Sequence, residues 1–95
     1  MIDQEKLKAV EGYLQNEFPG SKIEVKHEPR EQNHVFRITH EGKSHRAIIV
    51  EAFLSFCDVS QIPATLREFT LAEHLRELGA TAVVVTLDGL KLEGD

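Results

Sequence analysis

The sequence predicts an α+β fold: a two-layer sandwich in α-β-β-β-α-β(β) order, with a mostly antiparallel sheet carrying both helices on one face. Three observations predict it. Two segments, near residues 4–18 and 60–78, repeat apolar side chains at helical spacing. Three segments between them alternate apolar and polar side chains or return as a short apolar run, as strands do. The uncharged run Thr81-Ala82-Val83-Val84-Val85-Thr86 suits an interior strand. With 95 residues, the chain is expected to form a single α+β domain, 1–95, around one core. A hydrophobic fraction of 41% and a charged fraction of 28% exclude a disordered or collagen-like chain.

The first helix is expected from Gln4 to Phe18. Asp3 can cap it by accepting from first-turn amides, and Leu7, Val10, Leu14 and Phe18 form its apolar stripe. Tyr13 on this helix is read as half-buried. Pro19-Gly20 ends it. Lys22-Ile23-Glu24-Val25-Lys26 is the first strand, with Ile23 and Val25 toward the helices. The polar stretch His27–Asn33, which contains Pro29, reads as a loop. In His34–His40, Phe36 and Ile38 share one face, and Val35, Arg37 and Thr39 share the other. Glu41-Gly42-Lys43 supplies a turn, because Gly42 can take the positive φ that a tight hairpin needs. Ser44–Val50 is the third strand, and residues 51–57 fit either its extension or a short helix. One helix is expected from a Ser60 cap, through Pro63 in the first turn, to Gly79. Its buried stripe is Ile62, Leu66, Phe69, Ala72, Leu75 and Leu78, against a charged face of Arg67, Glu68, Glu73, Arg76 and Glu77. Asp88-Gly89 signals a turn into a short closing strand, Leu90–Glu93. The five Phe residues read as core.

Charge is segregated along the chain. The formal net charge is −5, which repels nucleic acid and anionic membranes at long range. Residues 22–46 nevertheless carry six Lys and Arg against four Glu, a local +2, together with four of the five histidines. Residues 47–95 carry the balance of −5, three basic against eight acidic residues. The single cysteine, Cys57, lies in the apolar run Phe53–Cys57 and reads as a buried, inert thiol. Met1–Glu5 lacks the basic-then-apolar pattern of a secretory signal, and no apolar run approaches a membrane span; a cytoplasmic chain without membrane partners is expected.

Candidate chemistry concentrates in residues 22–46. If Gly42-Lys43 were the hairpin turn, His40 and His45 would face each other and could share a proton or an ion, although a metal site wants a third ligand. The α-β-β-β-α-β order resembles the core of the restriction-endonuclease-like nucleases, whose pattern implies converging acids and an acid-x-Lys triplet. Glu24-Val25-Lys26 and Glu41-Gly42-Lys43 have that shape, but the third strand offers no carboxylate before Glu51. The stretch Asn33–Lys43 resembles the strand-turn segment of double-stranded-RNA-binding domains, which implies phosphate binding by a lysine cluster opening the last helix. Here that place reads Asp58-Val59-Ser60-Gln61-Ile62-Pro63-Ala64-Thr65, without a cation. No catalytic residue, metal set or cofactor is therefore expected.

The expected function is a small non-enzymatic binding or self-association module. The third strand is apolar on both faces through Ala47-Ile48-Ile49-Val50, and one helix layer covers only one face. Val35 with either Ile48 and Val50 or Ala47 and Ile49 would form an outward apolar strip. Lys26, His34, Arg37, His40, His45 and Arg46 are the expected binding residues around it. The partner would be a second copy in a homodimer or an acidic protein. Nucleic-acid binding through residues 22–46 is the alternative, and a metal-dependent enzyme using His40 and His45 is a third reading.

Overall fold

The side-chain alternation of the strands becomes a sheet with one filled face. A computed structural model describes residues 4–30, 32–79 and 81–92. The elements run α1 (Gln4–Glu17), β1 (Lys22–Glu28), β2 (Asn33–His40), β3 (Lys43–Val50), α2 (Glu51–Phe56), a 3-10 turn (Val59–Gln61), α3 (Ile62–Glu68), α4 (Leu71–Leu78), β4 (Val83–Thr86) and β5 (Gly89–Leu92). The sheet order is β1-β2-β3-β4-β5. Only β3 and β4 pair in parallel, because the helices between them carry the chain back before β4 begins; the other neighbours are antiparallel.

Register assigns each residue to a face. Val25, Phe36, Ala47, Val83 and Leu92 stand in one row across the five strands, and Phe36, Ala47 and Val83 are fully buried under the helices. Ile38, Ile49 and Val85 extend the same face. Against them pack Val10, Leu14 and Phe18 of the first helix and its end, and Ile62, Leu66, Leu71, Ala72 and Leu75 of the later helices. The helix layer stops short of the edge strand: Ile23 is half-buried, but Val25 is 40% exposed, against the expectation that the helices would cover both.

Four expectations change for local reasons. The segment His27–Asn33 is not a loop: β1 runs on to Glu28, β2 begins at Asn33, and the reversal lies between Pro29 and Gln32. The long second helix is broken. Thr70 takes a left-handed conformation at φ 53°, separating α3 from α4 and rotating Leu71 into the core. Ser60 caps no helix: Asp58 caps the 3-10 turn, its backbone N–H donating to Gln61 Oε1 at 3.4 Å, and Gln61 stands at the N-cap of α3. Phe56, on the short α2, points outward at 77% exposure, while Phe18, Phe36 and Phe53 are core and Phe69 is half-buried. Asp3, the expected cap of α1, lies outside the described residues.

Long-range hydrogen bonds tie the helix layer together. Tyr13 is buried rather than half-buried, and its hydroxyl accepts the Ala72 N–H at 3.3 Å, serving one of the orphan donors in the first turn of α4. Burial pushes the Tyr13 phenol above its ordinary pKa, so the hydroxyl stays neutral. Lys6 Nζ donates to the Leu54 carbonyl at 2.7 Å near the end of α2, and Arg76 Nη2 donates to the Glu17 carbonyl at 2.6 Å. Among the described residues no helix is long and apolar enough to cross a membrane.

Two stability measurements test this packing. Phe36→Ala removes a fully buried ring from the centre of the sheet, and urea unfolding should show a loss of about 3–5 kcal/mol. Thr70→Asn replaces a β-branched residue at φ 53° with one that tolerates left-handed backbone, and should raise stability by about 1 kcal/mol; an unchanged midpoint would show that the strain relieved at Thr70 does not exceed the loss of its hydroxyl contact with His74 Nδ1.

Candidate functional site

Three places gather the chemistry-bearing side chains: the outer sheet face, the β2–β3 hairpin end and the β1–β2 hairpin end.

The outer face is set by the same register. Directly opposed residues form the row Lys26, Val35, Ile48, Val84 and Lys91, beside the row Glu24, Arg37 and Arg46. The apolar strip expected from the third strand therefore consists of Val35 with Ile48, joined by Val84, whereas Val50 at the strand's end packs against the core. These four side chains are half-buried, whereas Ala47, Ile49, Val83 and Val85, facing the helices, are fully buried. A shallow groove of about 550 Å³ runs along this face between Lys26, Glu28, Val35, Arg37, Arg46 and Ile48. Lys26 makes an ion pair with Glu28 at 3.5 Å, and both are well exposed, where such pairs add little stability. The expected binding residues Lys26, Arg37 and Arg46 thus share one face. His34, His40 and His45 are on the other.

At the β2–β3 hairpin the turn residues are Glu41 and Gly42, both at positive φ of 52° and 78°, with His40 opposite Lys43 and His45 opposite Ile38. The turn is therefore not Gly42-Lys43, so His40 and His45 do not face each other, and His45 is buried rather than exposed at the strand end. Each imidazole has a structural role. His40 Nε2–H donates to the Pro19 carbonyl at 3.1 Å, and His45 Nδ1–H donates to the Gly79 carbonyl at 3.1 Å. Both rings pack on Phe18, at centroid distances of 5.9 Å and 5.5 Å, and the Arg76 guanidinium lies 4.9 Å from the centre of the same Phe18 ring.

The β1–β2 end brings together residues that sequence reasoning kept apart. His27 and His34 are direct cross-strand partners, with rings stacked at 4.6 Å and 13° apart. Glu51, the first residue of α2, joins them: His27 Nε2–H donates to Glu51 Oε1 at 3.2 Å, and His34 Nε2 lies 3.5 Å from the same oxygen. The Glu51 backbone N–H donates to the Gln32 carbonyl at 3.0 Å, pinning the start of α2 to the hairpin. His34 is 5% exposed, and neither of its ring nitrogens makes a hydrogen bond. Burial and the adjacent His27 lower its pKa, against the upward pull of Glu51. Reading His27–Asn33 as a tight hairpin, with strands on both sides of the Pro29 turn, would have set His27 opposite His34; nothing local in the sequence places Glu51 beside them.

Cys57 is buried, as expected, and burial pushes its thiol above the ordinary pKa. Comparison with protein-family models, with curated proteins and with solved structures finds no match for this chain.

The thiol supplies a direct check of the packing. In folded protein at neutral pH, Cys57 should react with an aromatic disulfide reagent many times more slowly than in urea. Equal rates would place the sulfur at the surface.

Proposed function

We propose that the protein is a non-enzymatic self-association module, pairing with a second copy through the outer face of its sheet. The carrying observation is the strip Val35, Ile48 and Val84, left half-exposed on a face opposite the helix layer. Burying such a strip is favourable at about 25 cal/mol per Å² of apolar surface, and two-fold pairing is the commonest way to do it.

Charge supports a second copy as the occupant. The outward residues of β1 alternate Lys22, Glu24, Lys26 and Glu28. A two-fold axis crossing the strands at the row of Val25, Phe36 and Ala47 sets Lys22 opposite the partner's Glu28 and Glu24 opposite the partner's Lys26. The aliphatic stems of Arg37 and Arg46 then cover the partner's apolar strip. An RNA- or DNA-binding role finds less support, because the outward strand residues include no aromatic ring on which a base could stack.

Sedimentation across micromolar to millimolar concentration tests the reading. The native chain should reach a dimer, and Ile48→Glu should return it to monomer while leaving the circular-dichroism spectrum unchanged. Dimerisation should persist in high salt, because apolar burial carries most of it, whereas phosphate contacts would weaken steeply. A monomer at every concentration, or a dimer indifferent to Ile48→Glu, overturns the proposal.

A further inference from the structure

The β1–β2 hairpin end holds a donor set that neither the fold nor the outer sheet face requires. We propose that His27, His34 and Glu51 form a binding site for a single zinc-class transition-metal ion, with one coordination position left open to the groove beside α1.

The ligand types point to that class. Two imidazoles and one carboxylate suit zinc and its borderline neighbours, whereas magnesium and calcium prefer oxygen donors. The spacing fits as well. Donors held about 2.0–2.1 Å from a tetrahedral ion lie about 3.3 Å from one another. His27 Nε2 and His34 Nε2 are 3.2 Å and 3.5 Å from Glu51 Oε1, and the three donor groups lie within 4.8 Å of one another. The rings are 13° from parallel, so each needs to turn about its Cβ–Cγ bond to aim its lone pair at a shared ion.

The state of His34 is the second, independent observation. A buried imidazole normally has a hydrogen-bond partner on at least one nitrogen. His34 is 5% exposed; its Nδ1 has no partner, and its Nε2 has only the long 3.5 Å contact with Glu51 Oε1. An ion beside Nε2 supplies the missing partner. The three residues come from three separately anchored places: two facing strand positions, and a helix start fastened to the hairpin by the Glu51 N–H to Gln32 carbonyl bond. Their backbone positions are therefore fixed before an ion arrives, and binding asks only for ring rotation.

The open position faces a groove of about 470 Å³, walled on the helix side by Leu7, Lys8 and Glu11. Three protein donors plus one exchangeable water is the arrangement of an open zinc site rather than a closed structural one. Glu11 supplies a second carboxylate on that wall, and Lys8 a cation that could pair with an anion bound to the ion. This site is on the helix-bearing side of the sheet and does not depend on pairing through the outer face.

Titration of the metal-stripped full chain with Co²⁺, followed by visible absorbance, tests the proposal. One equivalent should give the intense bands of four- or five-coordinate cobalt, and Zn²⁺ should displace it and raise the melting temperature. His27→Ala changes a half-exposed side chain and keeps the fold; it should weaken binding by on the order of a hundredfold or more, because losing a direct ligand costs at least as much as losing an outer-shell partner. Glu51→Gln should weaken binding in the same way, whereas His74→Ala, remote from the cluster, should bind as the native chain does. Absence of the cobalt bands, only the pale spectrum of six-coordinate cobalt, native affinity in His27→Ala, or loss of binding in His74→Ala would each overturn the assignment.

Discussion

The pleat of a registered sheet is the constraint on which the rest of this structure depends. Once Phe36 stands opposite Val25 and Ala47, each neighbour one residue along must face the other way. The inner face then takes Phe36, Ile38, Ala47 and Ile49 and is sealed by the helices. The outer face receives Val35, Arg37, Arg46 and Ile48 as a consequence. Its mixed character, an apolar centre among cations, follows from a third strand that is apolar at every position from Ala47 to Val50 while only one layer of helices is available to cover it.

The helix layer follows the same sheet. A single straight helix from Ile62 to Leu78 would have to keep one stripe against a twisted surface. The left-handed Thr70 divides it into two shorter rods, and the second buries Leu71 as well as Ala72 and Leu75. The Tyr13 hydroxyl meets the second rod at the Ala72 N–H, so α1 is joined to α4 by a polar contact inside an apolar layer. Buried polar groups of this kind hold elements in one arrangement because their alternatives leave a donor unpaired.

The two hairpins show how the same local chemistry leads to different outcomes. At Glu41-Gly42 the register separates His40 from His45, and each imidazole settles on a backbone carbonyl and the Phe18 ring. At Pro29–Gln32 the register opposes His27 and His34 and leaves the buried ring without a hydrogen bond. The first pair would face each other only across a turn at Gly42-Lys43, which the chain does not make. The second became visible only when the strands on both sides of Pro29 were extended to the turn and the chain brought Glu51 alongside.

The sequence by itself determined what periodicity and composition can carry. The α-β-β-β-α-β(β) order, the inward Phe36 and Ile38, the buried Cys57, the positive-φ Gly42 and the cationic middle third are all properties of neighbouring residues. Tertiary structure decided what depends on residues far apart in the chain: the hairpin registers, the break at Thr70, the outward turn of Phe56, the burial of Tyr13 and the meeting of His27 with Glu51, 24 residues away. The physical reason is range. Backbone and side-chain preferences act within a few residues, whereas the partner of a strand residue and the company of a helix start are settled by which whole arrangement buries the most apolar surface and leaves the fewest polar groups alone.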